Sequence, residues 1–144
     1  YSREEIPALF GLRFNKATWN VGFVSQPGHL FLLVTLDKSG HTQAFNYKDR
    51  FLAPDLFQWE SQNRTRQESK VGRQIRDHER EGALVHLFVR PAKKVAGGRS
   101  APFVYCGNVK FRDWEGEAPI SVRWTLLQPV PEALRPALQV PAAS

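Results

Sequence analysis

One cysteine, no methionine and four histidines in 144 residues leave little material for several common chemistries. Cys106 on its own excludes an internal disulfide, and no Cys/His spacing matches a zinc site, so a reduced, intracellular setting without metal or cofactor is expected. No run approaches the roughly 18 apolar residues of a membrane-spanning helix, and the N-terminus lacks the apolar core of a signal peptide. A soluble, cytoplasmic protein with no membrane partner is expected. The chain opens at Tyr1 and reads as a fragment of a longer protein.

Catalytic signatures are missing too. There is no His-Glu-x-x-His and no Gly-x-Ser-x-Gly, and Gly97-Gly98 lacks the spacing and following lysine of a phosphate-binding loop, which leaves it as a hairpin tip. His86 falls inside an apolar strand, where a hydrogen-bonded core or outward-facing histidine is the common outcome. His78 stands beside Glu79 on an expected solvated helix. Cys106 has no basic neighbour in sequence to stabilise a thiolate, so packing is its expected role. The expectation is a binding domain rather than an enzyme.

What is present describes a folded, basic domain. Hydrophobic residues make up 42% of the chain and aromatics 12%, well above a disordered composition, and the formal charge of +6 favours a polyanionic partner through counterion release. Ser2 and Glu5 have the spacing of a capping box ahead of a short helix. Strands are expected over residues 19–23, 30–36, 43–47, 84–90, 103–105, 108–111 and 120–127, with a hairpin loop at 26–29. An apolar link holding Pro54 is expected over 51–59, a helix over 70–81, a Gly/Lys/Arg loop over 93–100, and a frayed tail over 135–144 after a single domain spanning 1–134. Many short strands with one or two small helices indicate a mostly β, α+β fold: a curved sheet or small β-barrel.

The densest mixture of aromatic and hydrogen-bonding residues runs from Tyr47 to Arg64. An extruded nucleobase needs flat apolar walls, a few fixed donors and acceptors at its Watson–Crick edge, and cations outside to grip phosphates. Tyr47, Phe57 and Trp59 are candidate walls, and Asp49, Ser61, Gln62 and Asn63 candidate edge contacts. An equally open alternative makes Phe57 and Trp59 core aromatics at strand spacing, with residues 61–63 capping a turn. The cationic run with Arg64, Arg66, Lys70, Arg73 and Arg76 is a candidate phosphate-contacting face or, alternatively, a solvated helix face laced with ion pairs.

The words Tyr1-Ser2-Arg3-Glu4-Glu5-Ile6, Leu33-Val34-Thr35-Leu36-Asp37-Lys38, Tyr47-Lys48-Asp49, Leu56-Phe57-Gln58-Trp59-Glu60-Ser61-Gln62, Leu87-Phe88-Val89-Arg90 and Gly116-Glu117-Ala118-Pro119 occur in that order. Together they resemble the C-terminal domain of unknown function of bacterial proteins built from a phospholipase-D-type nuclease and a superfamily II helicase, as in the modification-dependent (type IV) restriction enzyme SauUSI. The resemblance implies a division of labour in which nuclease and helicase cut and translocate while this domain recognises modified double-stranded DNA. It also implies, by analogy with other readers, an SRA- or PUA-like fold that flips 5-methylcytosine or 5-hydroxymethylcytosine. Asp49 would then accept from the cytosine exocyclic amine. Ser61, Gln62 and Asn63 would complete the pocket, and Arg64, Arg66, Lys70, Arg73 and Arg76 would hold the backbone. Two other functions stay open: a reader of phosphorothioate DNA, which a pocket of apolar side chains and proline near a basic residue would suit, and a protein-interaction module that couples nuclease to helicase through an exposed Phe/Trp surface.

Overall fold

The computed structural model describes residues 1–37, 49–62, 64–94 and 97–141. The expected strand over 43–47 lies outside them. Two one-turn helices, α1 (Glu5–Ala8) and α2 (Lys16–Trp19), lead into β1 (Phe23–Gln26) and β2 (His29–Asp37). The strands β3 (Arg50–Ala53) and β4 (Leu56–Glu60), the helix α3 (Lys70–Asp77), and the strands β5 (Leu84–Ala92), β6 (Val104–Glu115) and β7 (Ser121–Leu126) follow. Among the described residues, seven strands form one sheet in the order β1-β2-β5-β6-β7-β4-β3, parallel between β2 and β5 and antiparallel elsewhere. The fold is therefore mostly β, and its sheet is curved but not closed.

Curvature follows from the bulges. Register shifts interrupt the β3–β4, β5–β6 and β6–β7 ladders, and each extra residue bends and twists its strand. The sheet coils until Phe23 on β1 meets Trp59 on β4, with ring centroids 5.9 Å apart. The inner face holds the main core: Leu30, Leu32, Val34 and Leu36 of β2, Val85, Leu87 and Val89 of β5, and Phe57, Val122, Trp124 and Leu126 across β4 and β7. Alternate residues of β2 and β5, Phe31, Leu33 and Phe88, face outward, where Ile6, Trp19, Val24 and Phe103 cover them. Burial on both faces explains why β2 reads as a continuous apolar run.

Several local expectations change in three dimensions. Trp19 ends a helix instead of starting a strand, because Asn15 accepts hydrogen bonds from the amides of Ala17 (2.9 Å) and Thr18 (3.4 Å) and so caps α2. The link at 51–59 is a β-hairpin turning at Pro54-Asp55. The two short strands around Gly107 are one long β6, since glycine accommodates the φ of 88° that the bulge requires. Beyond 134 the chain does not leave the domain: Leu138 is buried in the main core and Val140 packs against it. The capping box does form, with the Ser2 amide donating to Glu5 Oε1 at 2.8 Å and the Glu5 amide to Ser2 Oγ at 3.3 Å. Among the described residues, no helix is long and apolar enough to cross a membrane.

Candidate nucleic-acid interface

The pairing of β1 with β2 stops at Phe23↔Leu32, with one further bond from the Leu33 amide to Gly22 O at 2.9 Å. Where β1 leaves off, the seam between the two ends of the coiled sheet opens into a cleft of about 240 Å³. Gly22, Phe23 and residues 33–35 of β2 form one side, and Asp49, Trp59, Glu60, Ser61 and Gln62 the other. Four of the seven expected pocket residues therefore line one cavity: Asp49, Trp59, Ser61 and Gln62. Tyr47 and Asn63 lie outside the described residues.

Their local chemistry is unequal. Asp49 is held at the cleft by the Glu60 amide, which donates to Oδ1 at 2.8 Å. Trp59 lines the cleft but is only 4% exposed, packed beside Phe23. The Ser61 hydroxyl is occupied, accepting from the Ile120 amide at 2.8 Å and donating to Gln62 O at 3.1 Å, so it straps β4 to the entry of β7. Gln62 is exposed. Phe57 does not reach the cleft: it shares the inner face of β4 with Trp59 but lies two residues further from the seam end of the strand, where it is fully buried against Phe51 at 4.8 Å. Phe23, Thr35 and Gly22 were not expected at a site, because they converge only through the coiling of the sheet.

The cationic run is split by the fold. Arg64, Arg66, Lys70, Arg73 and Arg76 are all exposed. Arg66 lies 3.4 Å from Glu117, and Arg76 is paired with Asp77 at 2.9 Å. Hydrogen bonding from Arg76 holds the Asp77 carboxyl below its ordinary range. Arg73 donates to Glu68 O at 3.0 Å. Arg64 and Lys70 project on the segment that leaves the seam and enters α3.

His78 is not on a solvated face. It is buried at the end of α3, where Nε2 accepts from the Phe111 amide and Nδ1 donates to Ala83 O, both at 3.0 Å, so it ties the helix to β6. Cys106 is partly buried, and burial pushes its thiol up to about 12, which suits packing rather than nucleophilic attack.

His86 sits in a polar cluster on the outer face. The Asn108 amide nitrogen lies 3.0 Å from His86 Nδ1 and 3.2 Å from Val85 O. An amide nitrogen only donates, so the proton of neutral His86 resides on Nε2, which donates to His29 Nδ1 at 3.0 Å. The Tyr105 hydroxyl lies 2.9 Å from the same Nδ1, and the Phe10 ring closes over His86 at 4.3 Å. Burial, with a smaller contribution from His29, pushes His86 down to about 4.

Between that value and the ordinary 6.5 the unfolded chain binds more protons, so this contribution to stability is complete above about pH 6.5 and falls as pH drops towards 4. Denaturant titrations are expected to show a loss of up to about 3 kcal/mol over that window from this group. His86→Gln, which does not titrate, should have a correspondingly flatter profile. Equal pH profiles for the two proteins would contradict the assignment.

A family model described as "Domain of unknown function (DUF3427)" matches residues 1–138. A search of curated proteins finds no match.

Proposed function

The chain belongs to the DUF3427 family, and from that premise we propose that it is a DNA-recognition domain that reads a modified cytosine, 5-methyl or 5-hydroxymethyl, by accepting the flipped base into the seam cleft. In this reading it directs the nuclease and helicase of a restriction system to modified double-stranded DNA. The observation that carries the proposal is the convergence of Asp49, Trp59 and Gln62 in one cleft of about 240 Å³ on a domain of net charge +6.

An aromatic side chain, a carboxylate positioned by the Glu60 amide and an exposed amide are the kinds of group a cytosine edge requires. Asp49 accepts from the exocyclic amine, Gln62 lines the mouth, and Trp59 with Phe23 forms the apolar wall. Ser61 keeps β4 in place, and Phe57 belongs to the core beneath. The coupling-module alternative places its docking surface on the Trp/Phe stretch, in which Phe57 and Trp59 are buried.

Fluorescence anisotropy on matched duplexes carrying cytosine, 5-methylcytosine, 5-hydroxymethylcytosine or phosphorothioate linkages, at two salt concentrations, tests the proposal. Preference for a modified cytosine supports it; preference for phosphorothioate, or none, overturns it. Asp49→Asn retains an acceptor for the Glu60 amide while replacing the carboxylate. It is expected to reduce discrimination by about 1–3 kcal/mol, roughly five- to hundredfold, with salt-sensitive background binding unchanged. An unaltered preference in Asp49→Asn would remove Asp49 from the pocket.

A further inference from the structure

A second cleft, of about 460 Å³, lies on the outer face of the sheet where the N-terminal segment crosses the loop after β5. Arg3, Arg90, Lys93 and Lys94 line it together with Ser2, Asn20 and Ser100, and so do two acids, Glu4 and Glu5. The Glu5 carboxylate is occupied by the Ser2 amide. Four cations against two carboxylates leave the cleft positive.

Arg90 is the unusual member. Only 6% exposed, it donates from Nε to Thr35 Oγ1 at 2.8 Å and from Nη1 to Ala101 O at 3.3 Å, both neutral oxygens. Its guanidinium lies 4.4 Å from the Phe103 ring centroid, and that of Arg3 lies 5.2 Å from the same ring. Burial lowers both arginines from their ordinary value; Arg3 adds repulsion at Arg90, while Glu4 partly offsets burial at Arg3. Arg3 donates from Nη1 to Trp19 O and Val21 O, both at 3.0 Å. Two guanidiniums gathered on one phenyl ring, each hydrogen-bonded to neutral oxygens, form a preorganised anion receptor: these bonds and the ring fix geometry, and Arg90 makes them without a carboxylate partner. Lys93 and Lys94 stand exposed at the rim, held by the bond from the Ala101 amide to Lys93 O at 3.0 Å and the pairing of Lys94 with Ser100.

We propose that this cleft binds phosphodiester groups of the DNA backbone. This rests on the DNA-reading proposal for the choice of polyanion, and the link is Thr35: its hydroxyl accepts from Arg90, and the same residue lines the seam cleft. A strand whose base enters the seam would present a neighbouring phosphate to Arg90 and Arg3, with the two lysines engaging the phosphates beyond. The cleft then supplies orientation and affinity without sequence information, while the seam supplies discrimination.

The test compares the full chain with a Lys93→Ala/Lys94→Ala variant, whose exposed side chains leave the core intact, on modified and unmodified duplexes over a salt series. The variant is expected to bind both duplexes about tenfold more weakly. Its salt slope should be smaller by about 2, with the ratio between duplexes preserved. Arg90→Lys, which keeps the charge and loses the fork, should weaken both duplexes alike, with circular dichroism confirming the fold. Unchanged affinity and slope in the lysine variant overturn the cleft even if Asp49→Asn abolishes discrimination. Loss of slope with no preference for modified cytosine in the parent protein upholds the cleft and rejects the reader. Loss of binding to phosphatidylserine vesicles with duplex binding intact would assign the cleft to lipid headgroups and overturn it as a DNA site.

Discussion

Phe57→Ala is expected to cost about 3–5 kcal/mol of folding stability, enough to unfold a large fraction of a marginally stable domain. The side chain is fully buried on the inner face, packed edge-on against Phe51 with an interplanar angle of 69° and opposite Trp124 across the β4–β7 ladder. Truncation removes the transferred surface and leaves a cavity that a sheet pinned on both sides by hydrogen bonds closes poorly. Phe57→Leu keeps most of the volume and should cost less than about 2 kcal/mol. Its folded population should discriminate between modified and unmodified duplexes as the parent does. Denaturant midpoints with anisotropy on the leucine variant separate core from pocket: near-native stability with lost discrimination would move Phe57 back to the base-binding wall.

Gly72→Ala is expected to destabilise by about 3 kcal/mol, against the gain of nearly 1 kcal/mol that helix propensity alone assigns to alanine. Gly72 is in the first turn of α3, where its amide donates to the capping hydroxyl of Ser69 at 3.1 Å. A β-carbon there would sit 2.3 Å from Arg66 O and 2.5 Å from Gln67 O. These are backbone atoms, so no rotamer change relieves the overlap; the 66–67 segment or the helix must move. That segment is anchored from the other side, since the Gln67 amide donates to Glu117 Oε1 at 3.1 Å and its side chain to Gly116 O at 3.0 Å. An alanine variant as stable as the parent in denaturant would show that the approach is loose.

Much of the architecture was legible because it is local. The apolar runs at 30–36 and 84–90, the hairpin turn at Pro27-Gly28 and the helical start after Ser69 each carry their signal within a few residues. The interface was legible in part for the same reason: Asp49, Trp59, Ser61 and Gln62 are near one another in sequence and stay together at the end of the β3–β4 hairpin. Phe57 and Trp59 share a face of β4, yet only Trp59 reaches the seam, a difference set by position along the strand rather than by residue type.

The sequence by itself determined a basic, mostly β domain and the neighbourhood of its candidate cleft, because period-two alternation, turn chemistry and charge act over short distances. Tertiary structure alone decided how the sheet coils, since bulges and the parallel β2–β5 pairing join segments more than fifty residues apart. That coiling brings Phe23 to Trp59. On the outer face, tertiary packing likewise brings Arg3 and Arg90 to one phenyl ring and His29 to His86. No spacing rule encodes such meetings, because their geometry depends on the packing of the whole core.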